Sequence, residues 1–167
     1  MSSSTPGKVV FWRLTRAKYD KVADAFSGAG AAQYPGRWNG AGVPVVYAAC
    51  SIALGVLELL VHAKSRTALD ERFVLFRGLA EPDLVFKPDL PAKLPKSESR
   101  RIGNDWVQRG TRPILEVPSI ITGEPNYVLN PNHSAFGKIE ISDAKLFQFD
   151  PRILERFNVV RQKPRQR

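Results

Sequence analysis

Glu58 is the residue whose type and setting first raise a question of chemistry. It lies in "VLELLVHA", the most apolar part of the stretch from Val43 to Ala63. A carboxylate in such surroundings is costly unless it is paired or used. At 100° per residue, Ser51, Gly55, Glu58 and His62 fall within roughly 60° of one another on a helix. Every other position from 52 to 61 is Ile, Ala, Leu or Val. An ordinary surface helix has a wide charged face. This pattern instead predicts a buried helix whose narrow polar seam faces an internal cleft. Gly55 lowers helix propensity but leaves room for another backbone or a ligand. Two readings stay open for Glu58: a site carboxylate, or half of a structural ion pair with an arginine or with His62 four residues on.

Other polar residues share this ambiguity. Arg37 stands in "GRWN", within a glycine-rich stretch. Its guanidinium suits bidentate contact with phosphate or carboxylate, or is a plain loop charge. Tyr47 ends a strand; it is a ligand-facing ring or a core tyrosine with a satisfied hydroxyl. Ser51 caps the helix that follows. Ser119 follows "EVP", and "GEPNYVLNPNH" supplies Glu124, Asn126, Asn130 and His133. Asn and Pro there also simply make turns. The two histidines, His62 and His133, stand without a cysteine or carboxylate cluster, a poor case for a metal. There is no G-x-S-x-G elbow. "GAGAAQYPG" fits neither a phosphate-binding P-loop nor a dinucleotide fingerprint.

The elements that must position these residues follow from patterning. "KVVFWRL" (8–14), "VPVVYAA" (43–49), "ERFVLFRGL" (71–79), "RPILEVPSII" (112–121) and "EPNYVLNP" (124–131) read as strands, with one or two more in 137–150. Helices are predicted at 51–64, behind the Ser51 cap, and at "RRIGNDWVQRG". "TRAKYDKVADAF" is a helix or an irregular arm. Residues 27–42 form a glycine-rich loop and 81–99 a proline-punctuated one. The expected fold class is α+β: one domain over 8–155, built on a strongly twisted mixed sheet with flanking helices. Residues 1–7 and 156–167 are read as flexible or partner-contacting tails.

Composition sets further bounds. The 167 residues are 43 % hydrophobic and 10 % aromatic, as in a globular domain with a real core. Cys50 is the single cysteine, so no intramolecular disulfide is available. This fits a reducing cytoplasm, and no secretory signal is visible in "MSSSTPGKVVFWRL". Pro44, Gly55 and Glu58 argue against a membrane span over 43–63. The net charge of +9 points to nucleic acid, a polyanionic small molecule or an acidic protein partner. Part of it is the basic tail "RQKPRQR". No zinc-finger spacing, RNP-like motif or clear helix-turn-helix favours nucleic acid.

Taken in order, "WRL", "GRWN", "PVVYAACSIALGVLELLVH", "VPSII" and "EPNYVLNPNH" resemble the RES domain, from about Val10 to Asp150. The resemblance implies the toxin half of a bacterial toxin–antitoxin pair, with an Xre-type helix-turn-helix antitoxin as partner. It implies a fold similar to diphtheria-toxin-type ADP-ribosyltransferases and NAD⁺ as substrate. NAD⁺ would be lost by hydrolysis or phosphorolysis, or its ADP-ribose passed to a protein. The family's arginine falls on Arg37, its tyrosine on Tyr47, its glutamate on Glu58 and its serine on Ser119; Arg13 of "WRL" matches a further arginine. One departure is His133-Ser134, where the family often has His-Pro.

The expected chemistry follows from that implication. Cleaving the nicotinamide–ribose bond builds positive charge on the ribose, as in glycoside hydrolysis. A fixed carboxylate, Glu58, would stabilise it in a dry cleft. Arg37 and Arg13 would clamp the pyrophosphate, Tyr47 would stack on a ring, and Ser119 would donate to ribose or phosphate. Ser51 and Asn130 are further candidates for the binding site. Nicotinamide leaves as a neutral group, and no metal is implied. The toxin itself would reach DNA only through its antitoxin. A protein ADP-ribosyltransferase and a catalytically silent antitoxin-binding module are the alternatives.

Overall fold

The computed structural model describes residues 7–63, 66–91 and 93–161. Lys64, at the end of the predicted helix, Ala92 of the proline-rich loop, and most of the two predicted tails lie outside them. Eight strands form one sheet: β1 (Val9–Arg16), β2 (Val46–Ala49), β3 (Phe73–Ala80), β4 (Val85–Phe86), β5 (Ile114–Pro118), β6 (Pro125–Leu129), β7 (Glu140–Ile141) and β8 (Lys145–Phe147). Their order is β4-β5-β6-β2-β1-β3-β7, with β8 also on β3. Only β4–β5 is parallel. Among the described residues five α-helices accompany them: α1 (Val22–Ala25), α2 (Ala29–Gln33), α3 (Ile52–His62), α4 (Lys96–Arg109) and α5 (Pro151–Arg161). The α+β single-domain expectation holds. No described helix is long and apolar enough to cross a membrane.

The register divides the sheet into two faces, because successive side chains alternate. Phe11, Val46, Ala48, Val74, Phe76, Ile114, Tyr127 and Leu129 pack on one face, with Phe26 of the α1 turn. On the other face, Val45, Leu115, Val117 and Val128 meet Trp38 and Trp106. Tyr47 pairs with Val128, and Ala49 with Asn126, so both pairs share this second face. Strands β2, β5 and β6 are thus covered on both sides, which suits their apolar runs. Here α3 covers part of the second face, its Gly55 Cβ position lying 3.8 Å from Ala49 Cβ.

Several boundaries depart from the sequence expectation. A short helix, α2, interrupts the predicted glycine-rich loop. Helix α4 begins at Lys96, before "RRIG", and runs to Gly110, whose φ of 56° ends it in the left-handed conformation. Helix α5 continues past residue 155 to Arg161. The larger correction concerns α3. The pattern predicts a buried helix with its polar seam toward a cleft, but Leu54 is the helix's one buried residue. Leu57 and Val61, one turn apart, are 41 % and 61 % exposed. An apolar run shows what a helix can bury and not whether this chain supplies a cover. Nor does Gly55 admit a close neighbour, since a methyl group there would sit in ordinary contact.

Candidate functional site

Ser51 begins α3 as expected: its Oγ accepts from the Leu54 N–H at 3.1 Å. Two turns on, α3 carries Glu58 to the end of β5 and the start of β6. The Ser119 hydroxyl donates to Glu58 Oε1 at 2.8 Å. Asn126 Nδ2 donates to the same oxygen at 2.6 Å. Ser119 is 1 % exposed, and its Oγ also accepts from Ile121 N at 3.1 Å and Thr122 N at 3.4 Å. Every hydrogen-bonding position of that hydroxyl is therefore used. Its one proton is given to Glu58 in this arrangement.

The second carboxylate oxygen has a different setting. His62 Nδ1 lies 3.9 Å from Glu58 Oε2, and its N–H donates instead to the Glu58 carbonyl at 2.7 Å. The Glu58 side chain is 26 % exposed and the His62 side chain 78 %. Glu58 is thus neither sealed in a structural arginine pair nor loose. Oε1 is anchored by two donors, and the side chain as a whole is partly exposed.

Tyr47 shares the sheet face of Asn126. Its hydroxyl donates to Asn39 Oδ1 at 2.7 Å and accepts from Trp38 N at 3.0 Å. Burial pushes its pKa up to about 12, so it is protonated at neutral pH. A side chain at Gly36 would collide with that hydroxyl, the Cβ position being 2.5 Å away. Asn39, fully buried, donates to the carbonyls of Ala31, Gly40 and Val43 and accepts from Gly36 N. The "GRWN" loop is therefore a built structure. Helix α4 presses on it closely: a Cβ on Gly103 would lie 1.8 Å from the Trp38 carbonyl oxygen.

Arg37 leaves this loop toward the start of α4. Its Nη1 donates to the Leu94 carbonyl at 2.9 Å and lies 3.4 Å from Ser99 Oγ. Arg100, which the sequence reading passed over, donates from Nη2 to the Gly36 carbonyl at 3.1 Å. Two guanidinium groups therefore flank the loop. Only a helical register that brings position 100 inward would have marked the second.

Arg13 is placed elsewhere. Its Nε donates to the Ala25 carbonyl at 2.7 Å and its Nη1 to the Tyr47 carbonyl at 2.9 Å. Its guanidinium stacks over Phe26, 5.7 Å from the ring centroid, and burial lowers its pKa to about 10. It lies with Phe26 on the first face, away from the Glu58 carboxylate, and ties α1 to β2. Asn130 Oδ1 accepts from Asn132 N at 3.0 Å, forming a turn. His133 Nδ1 accepts from Ala135 N at 3.0 Å, and its Nε2 lies 2.8 Å from the Gly110 carbonyl oxygen. The structure brings Glu58, Ser119 and Asn126 together and sets Tyr47 on the same face. It gives Ser51, Asn130 and His133 local structural work. A groove of about 520 Å³, lined by Phe86, Arg101, Trp106 and Arg112, lies at the start of β5, the opposite end from Ser119.

The fold is a single mixed sheet with a helix-borne carboxylate bonded to a serine just past β5 and an asparagine of β6. The chain belongs to the RES domain family, whose pattern matches residues 10–150. It is 35 % identical over 155 residues to "Toxin Res" of Photorhabdus laumondii subsp. laumondii, covering 88 % of this chain and 98 % of that one. It is 33 % identical over 156 residues to the "Prs ADP-ribosylating toxin" of a Sphingobium species, covering 87 % and 97 %. In fold it is similar to a chain of the M. tuberculosis MbcT–MbcA toxin–antitoxin complex, with a TM-score of 0.70 at 17 % identity over 91 % of this chain and 90 % of that one.

Proposed function

We propose that this chain is the toxin of a toxin–antitoxin pair and that it consumes NAD⁺ by cleaving the nicotinamide–ribose bond. The observation that carries this reading is the Glu58 carboxylate, with Oε1 anchored by two donors and the side chain partly open to solvent. An anchored anion costs no reorganisation when positive charge develops beside it. Glu58 Oε2 faces the ribose, stabilises the oxocarbenium-like centre and orients the incoming nucleophile. Nicotinamide departs neutral, so the mechanism needs no strong acid. Tyr47, protonated and fixed, supplies a ring edge and holds the Arg37 loop. Arg37 uses Nη1 internally, and its remaining N–H groups are directed to the pyrophosphate. The loss of NAD⁺ arrests growth until an Xre-type antitoxin neutralises the toxin.

A second reading is supported by the relative named for ADP-ribosylating Prs: the acceptor is a protein side chain instead of water or phosphate. Exposed Leu57, Val61, Ile120 and Ile121, two on α3 and two beside Ser119, would suit a protein acceptor. One experiment separates the readings. Purified protein is incubated with NAD⁺, with and without inorganic phosphate, and with cell extract, and the products are identified by mass. Free ADP-ribose marks a glycohydrolase, ADP-ribose 1″-phosphate a phosphorylase, and a labelled protein a transferase. Intact NAD⁺ in all three refutes the proposal and leaves the silent antitoxin-binding module.

A further inference from the structure

We infer that Asn126 is a positioning residue of this site: its amide fixes which oxygen of Glu58 meets the substrate. The inference rests on the NAD⁺-cleaving reading above. Asn126 sits inside β6, paired with Ala49 on one side and Val117 on the other. Asparagine is depleted in strands, so this position carries a local cost. There is a second cost. Asn126 Oδ1 is buried and has no hydrogen-bond partner. Exchanging the amide's two ends would place its oxygen against the carboxylate, so the nitrogen must face Glu58. A buried unpaired acceptor loses its hydration without a bond to replace it. A valine or threonine would suit the strand better. What the asparagine provides in return is the 2.6 Å bond to Glu58 Oε1.

That bond does what Ser119 alone cannot. A carboxylate held by one donor can turn about its last torsion, which is broad. Two donors arriving at one oxygen, one from just past β5 and one from β6, fix the plane of the group. Oε2, the oxygen that neither donor touches, is then held in one direction. Small misplacements of a reacting group cost on the order of 100-fold in rate.

The test is a double-mutant cycle in NAD⁺ turnover on the full chain, with thermal melts of each protein. Asn126→Ala should lower kcat about 10- to 100-fold and leave KM within about threefold. Its melting temperature should stay within a few degrees, because the lost bond and the removed orphan acceptor offset one another. Asn126→Asp keeps the shape, removes the donor and sets a second carboxyl against the first. It should be at least as impaired. In a Glu58→Gln background, Asn126→Ala should change kcat less than twofold, since it acts only through that carboxylate. Effects that multiply in the double variant, or a kcat loss that follows a large loss of stability, would overturn the assignment while leaving the functional reading intact. A wild-type protein that leaves NAD⁺ untouched in every arm overturns both.

Discussion

Replacing Glu58 with glutamine removes a charge and almost nothing else, so its consequences can be worked through. The glutamine carbonyl oxygen takes the place of Oε1 and accepts from both Ser119 Oγ and Asn126 Nδ2. The bonds persist as neutral ones. A hydrogen bond to a charged group contributes about 1.5–3 kcal/mol and a neutral one about 0.5–1.5. At mid-range values the two bonds together lose about 2–3 kcal/mol, reduced to about 1–2 because the side chain is 26 % exposed. For a chain of this size that is a fall of about 2–8 °C in melting temperature. The effect on turnover is of another order. Removing a preorganised electrostatic stabiliser costs about 100- to 1,000-fold in kcat, with KM little changed because the ground state carries its charge elsewhere. The assay is NAD⁺ loss followed by mass, beside a circular-dichroism melt of the same sample. A folded Glu58→Gln protein with turnover within about threefold of wild type would refute the mechanism. An unfolded one would show that Glu58 is structural.

Tyr47→Phe removes the hydroxyl that bridges Trp38 and Asn39. It should lower stability by about 1–3 kcal/mol in urea unfolding; an unchanged midpoint would reduce Tyr47 to its ring. The same variant has a pH signature. Tyr47 and Tyr127 both keep their protons to about 12 in the folded state because they are buried, whereas an unfolded tyrosine releases its proton near 10. The folded chain then binds more protons between about pH 10 and 12, so stability falls as pH rises through that window. Arg13, lowered to about 10, acts with the opposite sign. Comparing Tyr47→Phe with wild type isolates the Tyr47 share as a shallower fall; parallel curves would contradict it. Ser51→Ala should cost about 1 kcal/mol through the lost cap and leave the KM for NAD⁺ unchanged; a raised KM would return Ser51 to the binding site. Arg37→Ala should raise the KM for NAD⁺ about tenfold or more, as expected when a charged hydrogen-bond partner of a phosphate is removed. Unchanged NAD⁺ affinity by titration would end the phosphate-clamp role.

How far the sequence reached depended on whether the signal was local. Helix α3 was legible because its cap and its apolar run are adjacent in the chain. The strands of β5 and β6 were legible from β-branched residues and turns. Helix α4 was read too short, because its buried positions are Ser99, Gly103 and Trp106, and two of these carry no hydrophobic signal. Gly103 is there for its missing Cβ, which only the approach of Trp38 explains. Helix α2 was hidden by its glycines. Glu58 stood out for its surroundings, but its anchors are 61 and 68 residues away. Spacing cannot express such a contact. Asn126 stands among the polar candidates of its motif but is equally read as a turn former, and Arg13 is matched by its motif while its carbonyl partners lie with the first face.

That division of faces bears on how the protein spends its stability. The first face is all packing: Phe11, Phe26 and Phe76 are buried there, and Arg13 is matched to two carbonyls. The second face holds Tyr47, Asn126 and the helix bearing Glu58. Among the described residues, two buried side-chain atoms lack a partner, Asn126 Oδ1 and Arg100 Nε. Asn126 touches Glu58, and Arg100 touches the carbonyl of Gly36, the residue packed against Tyr47. Random defects would fall anywhere in the fold. Both of these fall beside the proposed site. Buried polar groups are almost always satisfied, and violations of local rules gather where function competes with stability. The second face also packs Leu115, Val117 and Val128 under Trp38 and Trp106, so both faces supply the stability against which the polar groups of the proposed site are held imperfectly paired.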